Sequence, residues 1–147
     1  REPDGTVTYG DLFAMQPFGN TLVTMTLTGA QIETILEAQW RRDGERVLFL
    51  QPSEGFTYAW RADGERGARI VKGSLKLDGR PIRPDDRFRV TVNSFLAAGG
   101  DGFRVFREGR DRVGGPLDID ALADFVRSRS ADAPLAPDPQ PRIHRQP

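Results

Sequence analysis

Two segments carry residues whose types and spacing suit ligand recognition. In Tyr9 to Asn20, YGDLFAMQPFGN, Phe18 stands between Pro17 and Gly19. Proline fixes the approach of the chain and glycine allows a tight departure, so the ring is offered from a turn rather than from a regular face. In Asn93 to Phe103, NSFLAAGGDGF, Gly99, Gly100 and Gly102 surround Asp101 directly after a strand-like run. Glycines there let backbone approach a ligand closely while one carboxylate is aimed at a hydroxyl or amine. The segment lacks the glycine-lysine-serine or threonine ending of a phosphate loop. Two arrangements fit these residues. In one, Phe18 and Phe95 clamp a flat ring with Asp101 as polar anchor, and stacking contributes about 1–3 kcal/mol per base, as in single-strand binders. In the other, both phenylalanines are core residues and the glycines merely make turns.

No catalytic set accompanies them. The one histidine, His144, lies in a polar tail, and there is no cysteine, which excludes disulfides, thiolate metal sites and cysteine nucleophiles. Dinuclear metal hydrolysis draws on several histidines and carboxylates, which this chain does not supply, so no metal, cofactor or independent activity is expected on it. Lys and Arg number 21 and so do Asp and Glu, giving a net charge of zero. Polymeric nucleic acid and anionic membranes therefore exert no global pull. No apolar run approaches the roughly 20 residues that cross a bilayer, and there is no signal-peptide pattern. Arg1 to Gly5 are already polar loop material without an initiating Met, as in a piece of a longer protein.

The elements that must position the two segments are read from periodicity. A chain of 147 residues with 37% hydrophobic content supplies one core. Val23, Met25 and Leu27 alternate with threonines from Leu22 to Thr28, a half-buried strand. Thr28 and Gln31 have capping-box spacing, and Ile32, Ile35, Leu36 and Trp40 share a helical face, predicting a helix from about Gly29 to Arg41. Arg42-Asp43-Gly44 breaks it, and Val47 to Leu50 is expected as a short buried strand. Phe56, Tyr58 and Trp60 alternate in another strand, their rings read as core packing on one face. Asp63-Gly64 and Asp78-Gly79 flank a third run, Ala68 to Leu77, so consecutive hairpins are expected.

Phe88, Val90 and Val92 alternate in a strand that delivers the chain into the glycine-rich segment. A last helix from about Leu117 to Ser130 turns Leu122, Phe125 and Val126 inward, with Asp118 and Asp120 in its first turn and Arg127 and Arg129 in its last, as the helix dipole favours. Beyond Ala131 proline is frequent and apolar residues are few, which predicts an extended or disordered tail over 134–147 after a domain spanning 1–133. Strands with two packed helices and no regular βαβ alternation give an α+β fold with a mixed or antiparallel sheet.

Taken together, VTYGDLFAMQPFGN, VTMTLTGAQIETILE and VTVNSFLAAGGDGF, in this order between Val7 and Ile143, resemble the C-terminal domain of the 5'-nucleotidase family, which includes UDP-sugar hydrolases and surface nucleotidases. The resemblance implies that Phe18 and Phe95 sandwich a nucleobase, that Asp101 bonds to ribose hydroxyls, that Gly99, Gly100 and Gly102 shape the pocket wall, and that Asn20 and Asn93 brace the loops. It implies that Arg1 matches a ligand-contacting arginine that ends a glycine-rich segment in relatives; that lead-in and its asparagine are missing here. It further implies a secreted, periplasmic or cell-surface protein whose separate N-terminal metallophosphoesterase domain carries two divalent metal ions, the present domain bringing nucleotide to them. A non-catalytic interaction module of the same fold, and a relative acting on cyclic nucleotides, nucleotide sugars or sulfur compounds, are the alternatives.

Overall fold

Strict alternation builds the first sheet. The computed structural model describes residues 5–40, 47–130, 135–136 and 139–147. In β1 (Thr21–Thr28), Met25 and Leu27 are fully buried while the threonines between them face the other way. β1 pairs antiparallel with β5 (Arg87–Asn93) in unbroken register from Leu22 opposite Asn93 to Thr28 opposite Arg87, and on its other side with β6 (Arg110–Leu117), in the order β5-β1-β6. A hydroxyl pair, Thr24 and Thr91, hydrogen-bonds across the outer face at 2.8 Å. Phe88, Val90 and Val92 lean on the core, as their spacing predicts.

The capping box forms as expected: Thr28 accepts from the Gln31 N–H, and the Gln31 side chain accepts from the Thr28 N–H, starting α2 (Gly29–Glu37). The helix ends short of the predicted Arg41, which lies outside the described residues together with Arg42-Asp43-Gly44. Its last turns tighten: the Gln39 N–H reaches Leu36 O and the Trp40 N–H reaches Glu37 O, three residues back. Ile32, Ile35, Leu36 and Trp40 nonetheless all enter the core.

The second sheet is shorter. β2 (Phe56–Arg61) carries the three alternating rings: Tyr58 is buried, and Phe56 and Trp60 pack partly buried against the same core. Burial pushes the Tyr58 phenol above its ordinary range, so it stays protonated and able to donate. β3 (Lys76–Leu77) and β4 (Arg80–Pro81) form a hairpin whose two central residues, Asp78 and Gly79, have φ of 49° and 76°, as a type I′ turn requires. The run from Ala68 to Leu77 is not a continuous strand. It contributes an isolated bridge from Ile70 to Trp60 and the two residues of β3, because the chain turns at Gly73, with φ of 73°. Val47 to Leu50 is no strand either: Val47 and Phe49 remain 37% exposed, and the segment hangs from the end of α2.

The proline-rich segment finishes in β7 (Ile143–Gln146), paired parallel to β2 from Tyr58–Ile143 to Arg61–Gln146, which completes the order β4-β3-β2-β7. The Arg145 guanidinium lies 5.7 Å from the centre of the Trp60 ring, so this strand covers the aromatic edge of the sheet. A smaller core lies between α1 (Tyr9–Met15) and α4 (Asp118–Ser130), where Leu12 packs on Ile119 and Ala123 with Leu122 and Val126 at the margin. Phe125, expected inward, is 51% exposed and sits under the Arg129 guanidinium at 5.6 Å. The helical stripe is narrower than expected and centred on Ile119 and Ala123. The fold is α+β with mixed sheet topology, as the pattern of elements implies.

Candidate functional site

The pairing of Leu22 with Asn93 determines where the two glycine-flanked segments meet. In an antiparallel pair, the residues that precede one strand and those that follow its partner emerge at the same end. The Phe18 turn and the Phe95 helix are therefore neighbours although they lie far apart in sequence. α1 delivers the chain to that turn. Its N-terminus is capped by Thr8, whose hydroxyl accepts from the Asp11 N–H while the Asp11 carboxylate accepts from Thr8, and the Tyr9 hydroxyl donates to Asp120 of α4 at 3.2 Å. The residues Thr8-x-x-Asp11 are a sequence signal for this helix, to which the sequence reading assigned no element.

Short polar side chains join the two loops. Ser94 donates to Asn20 Oδ1 at 3.1 Å and accepts from the Thr21 N–H at 3.2 Å. Asn93 Oδ1 accepts from the Leu96 N–H at 2.9 Å and so caps α3 (Ser94–Ala97). Gly99, with φ of 84°, ends that turn. Asp101 itself adopts a left-handed conformation, φ 52°, which aspartate tolerates better than most residues. Gly100 lies against the ring of Phe95: a Cβ there would stand 2.5 Å from Phe95 Cε1 and 2.6 Å from Cζ. A Cβ at Gly99 would press on the Arg107 stem at 2.8 Å, so that glycine shapes the back of the loop rather than its open face.

Phe18, Phe95 and Asp101 line one open cleft of about 860 Å³. Phe18 is 76% exposed and Phe95 49%, so neither is a core residue. Asn20, Asn93 and Leu96 complete this side. Asp101 is the one ionisable side chain among the described residues of the lining. Arg1 lies outside the described residues, and Gly102, with φ of 80°, turns the chain beyond Asp101.

The opposite wall is one that the sequence did not single out: Val47 to Gln51. Phe49 stands there, edge-on to Trp40 with ring centres 5.7 Å apart and 5.6 Å from Trp60. The short apolar run Val47 to Leu50 was visible, but it pointed to a buried strand instead of a cleft wall. A second crevice of about 660 Å³ runs along β5 and shares Leu50, Gln51 and Leu96 with the first. It is the margin of the apolar core, and none of the residues singled out for chemistry lies on it.

Residues 1–108 match the family model described as the 5'-nucleotidase C-terminal domain. The chain is 36% identical over 143 residues to endonuclease YhcR of Bacillus subtilis (strain 168), covering 95% of this chain and 11% of that protein. It is 32% identical over 126 residues to cell wall protein Lmo0130 of Listeria monocytogenes, covering 85% of this chain and 16% of that one. Among solved structures, a 5'-nucleotidase precursor from Thermus thermophilus superposes with a TM-score of 0.74 at 30% identity, over 95% of this chain and 28% of the other. The chain thus spans between 11% and 28% of the length of these relatives. With the family model covering the larger part of the chain and the same fold present in a solved relative, the chain belongs to the 5'-nucleotidase family, as its C-terminal domain.

Proposed function

We propose that this domain recognises a nucleoside or nucleotide, holding the base between Phe18 and Phe95 and the ribose hydroxyls on Asp101, within a metal-dependent 5'-nucleotidase-type phosphoric ester hydrolase. The observation that carries the reading is the convergence of Phe18, Phe95 and Asp101 on one cleft from two distant parts of the chain. Two exposed rings offer stacking surface to any base, and a single carboxylate suits a pair of hydroxyls as hydrogen-bond acceptor. In this reading Gly99, Gly100 and Gly102 shape the loop that carries Asp101, Gly99 from behind and Gly100 beneath the Phe95 ring, and Arg1 is the candidate for a further polar contact. The phosphate, in the same reading, points out of the cleft, toward the site that performs the chemistry.

That chemistry is assigned elsewhere. The reading assigns the two divalent metal ions to a separate N-terminal metallophosphoesterase domain; among the described residues no three His, Asp or Glu side chains converge to hold an ion. The cleft's part is to bind the substrate remotely from the reacting phosphate and to orient it, which converts binding energy into positioning. The reading places the protein outside the cytoplasm, secreted, periplasmic or at the cell surface, and the relative named as a cell wall protein supports it. No helix among the described residues is long and apolar enough to cross a membrane.

Titration of the chain with adenosine and AMP, followed by amide shifts, tests the proposal. Saturable shifts around Phe18, Phe95 and Asp101, similar for the two ligands, are expected. Absence of shifts at millimolar ligand would favour a domain that uses this surface for interaction rather than for nucleotides. Asp101→Asn should weaken adenosine more than 2',3'-dideoxyadenosine; equal losses would remove the ribose role.

A further inference from the structure

The wall from 47 to 51 belongs to no strand, yet it is held at two alternate N–H groups, and both lead to one residue. The Leu48 N–H donates to the backbone carbonyl of Gln39 at 3.2 Å, and the Leu50 N–H donates to Gln39 Oε1 at 2.7 Å. Gln39 follows the end of α2, and its side chain is fully buried. Its Nε2 donates to Leu36 O at 2.9 Å and to the Tyr58 hydroxyl at 3.1 Å. With a carbonyl on one side and an N–H on the other, the amide can take one orientation only. A buried amide costs stability unless its groups are matched; Nε2 is matched within the core, while the short bond to Oε1 comes from the Leu50 N–H, with the Tyr58 hydroxyl a longer second neighbour of Oε1 at 3.3 Å.

We infer that Gln39 is the positioning residue of the cleft's far wall. Its amide sets where Phe49 and Gln51 stand opposite Phe18 and Phe95, and so the width of the slot a ring must enter. This rests on the nucleoside reading of the cleft. Phe49 also touches Trp40 and Trp60, but ring contacts tolerate sliding, whereas the 2.7 Å bond to the Leu50 N–H fixes backbone. Methionine at position 39 would fill nearly the same volume and leave that N–H without an acceptor.

The test compares Gln39→Met with Tyr58→Phe in the 147-residue chain. Both remove partners from the same buried network, but only the first removes the acceptor for Leu50. Gln39→Met is expected to speed amide exchange at Leu50 about tenfold beyond the change in global opening, and to weaken adenosine about tenfold. Tyr58→Phe should lower the thermal midpoint while leaving both readouts within about twofold of wild type. Unchanged protection at Leu50 in Gln39→Met would overturn the inference. So would losses of affinity that simply track stability across the two variants. Should the wild-type chain take no adenosine, the nucleoside reading fails, while exchange at Leu50 still decides whether Gln39 holds the wall.

Discussion

The two rings of the cleft are the same residue type in different settings. Phe95 rises from the first turn of α3, which Asn93 caps, and its ring rests on Gly100 so closely that a Cβ there would collide with it. Phe18 stands on a turn, 76% exposed, and a Cβ on the neighbouring Gly19 would meet nothing within 4 Å. These settings make one ring a seated platform and the other, in the nucleoside reading, a flap. Ordering a side chain at an interface costs roughly 0.5–1.5 kcal/mol, while stacking a base gains roughly 1–3 kcal/mol. In the proposed reading the platform would keep nearly all of that gain, and the flap would give up a good part of it.

The largest effect should follow from removing the platform. Phe95→Ala is expected to weaken adenosine by roughly tenfold to a hundredfold in calorimetric titration, with the thermal midpoint nearly unchanged because the ring is half exposed. In a full-length enzyme the same loss should appear as a raised KM. A large fall in stability instead would mean that Phe95 is core, contrary to its exposure. Gly100→Ala keeps the ring but forces it off its seat. An approximately tenfold loss of affinity is expected, and an unchanged affinity would show that the seat plays no part in holding the ring for binding.

Phe18→Ala should cost less, roughly threefold to tenfold, because the mobile ring must be immobilised when it closes. A ligand-free measurement sharpens the contrast: the Phe95 ring resonances should already show contacts with Gly100, and those of Phe18 should gain neighbours only on addition of adenosine. Equal losses for the two alanine variants would remove the distinction between platform and flap.

The contrast also marks how far the sequence can be read. Periodicity disclosed β1, β5 and the core face of α2, because each buries a regular stripe, and the Pro-Phe-Gly and Gly-Gly-Asp-Gly settings singled out residues that line the cleft's near side. Periodicity could not decide whether Phe18 and Phe95 share a cleft, which only the resemblance implied, since that depends on the register of Leu22 with Asn93, a pairing between residues from opposite halves of the chain. The far wall was illegible for a related reason: Val47 to Gln51 takes its shape from a buried glutamine and two tryptophans, not from a pattern of its own. The same holds for β7, where a polar, proline-rich segment becomes a strand because β2 offers it a free edge. Phe125 shows the opposite error, an apolar residue at helical spacing left outside because Ile119 and Ala123 already fill the small core with Leu12.

The smallest expected effect bears most directly on what makes Phe18 a flap. Gly19 has φ of 61°, and space around its missing Cβ is open, so alanine there meets a conformational penalty and no collision. A left-handed conformation costs an L-residue about 1–2 kcal/mol, enough to lower the thermal midpoint by a few degrees or to shift the turn toward another conformation. If the turn keeps its shape, Phe18 stays where it is and adenosine affinity should change by less than about threefold. If the turn relaxes, the ring leaves the cleft mouth and the loss should approach that of Phe18→Ala. Measuring midpoint and affinity together separates the cases: strain with retained binding makes Gly19 a device for folding the turn, and binding lost at unchanged midpoint makes it a hinge for the ring. The open space around the position favours the first outcome, since nothing pushes the alanine methyl toward the cleft.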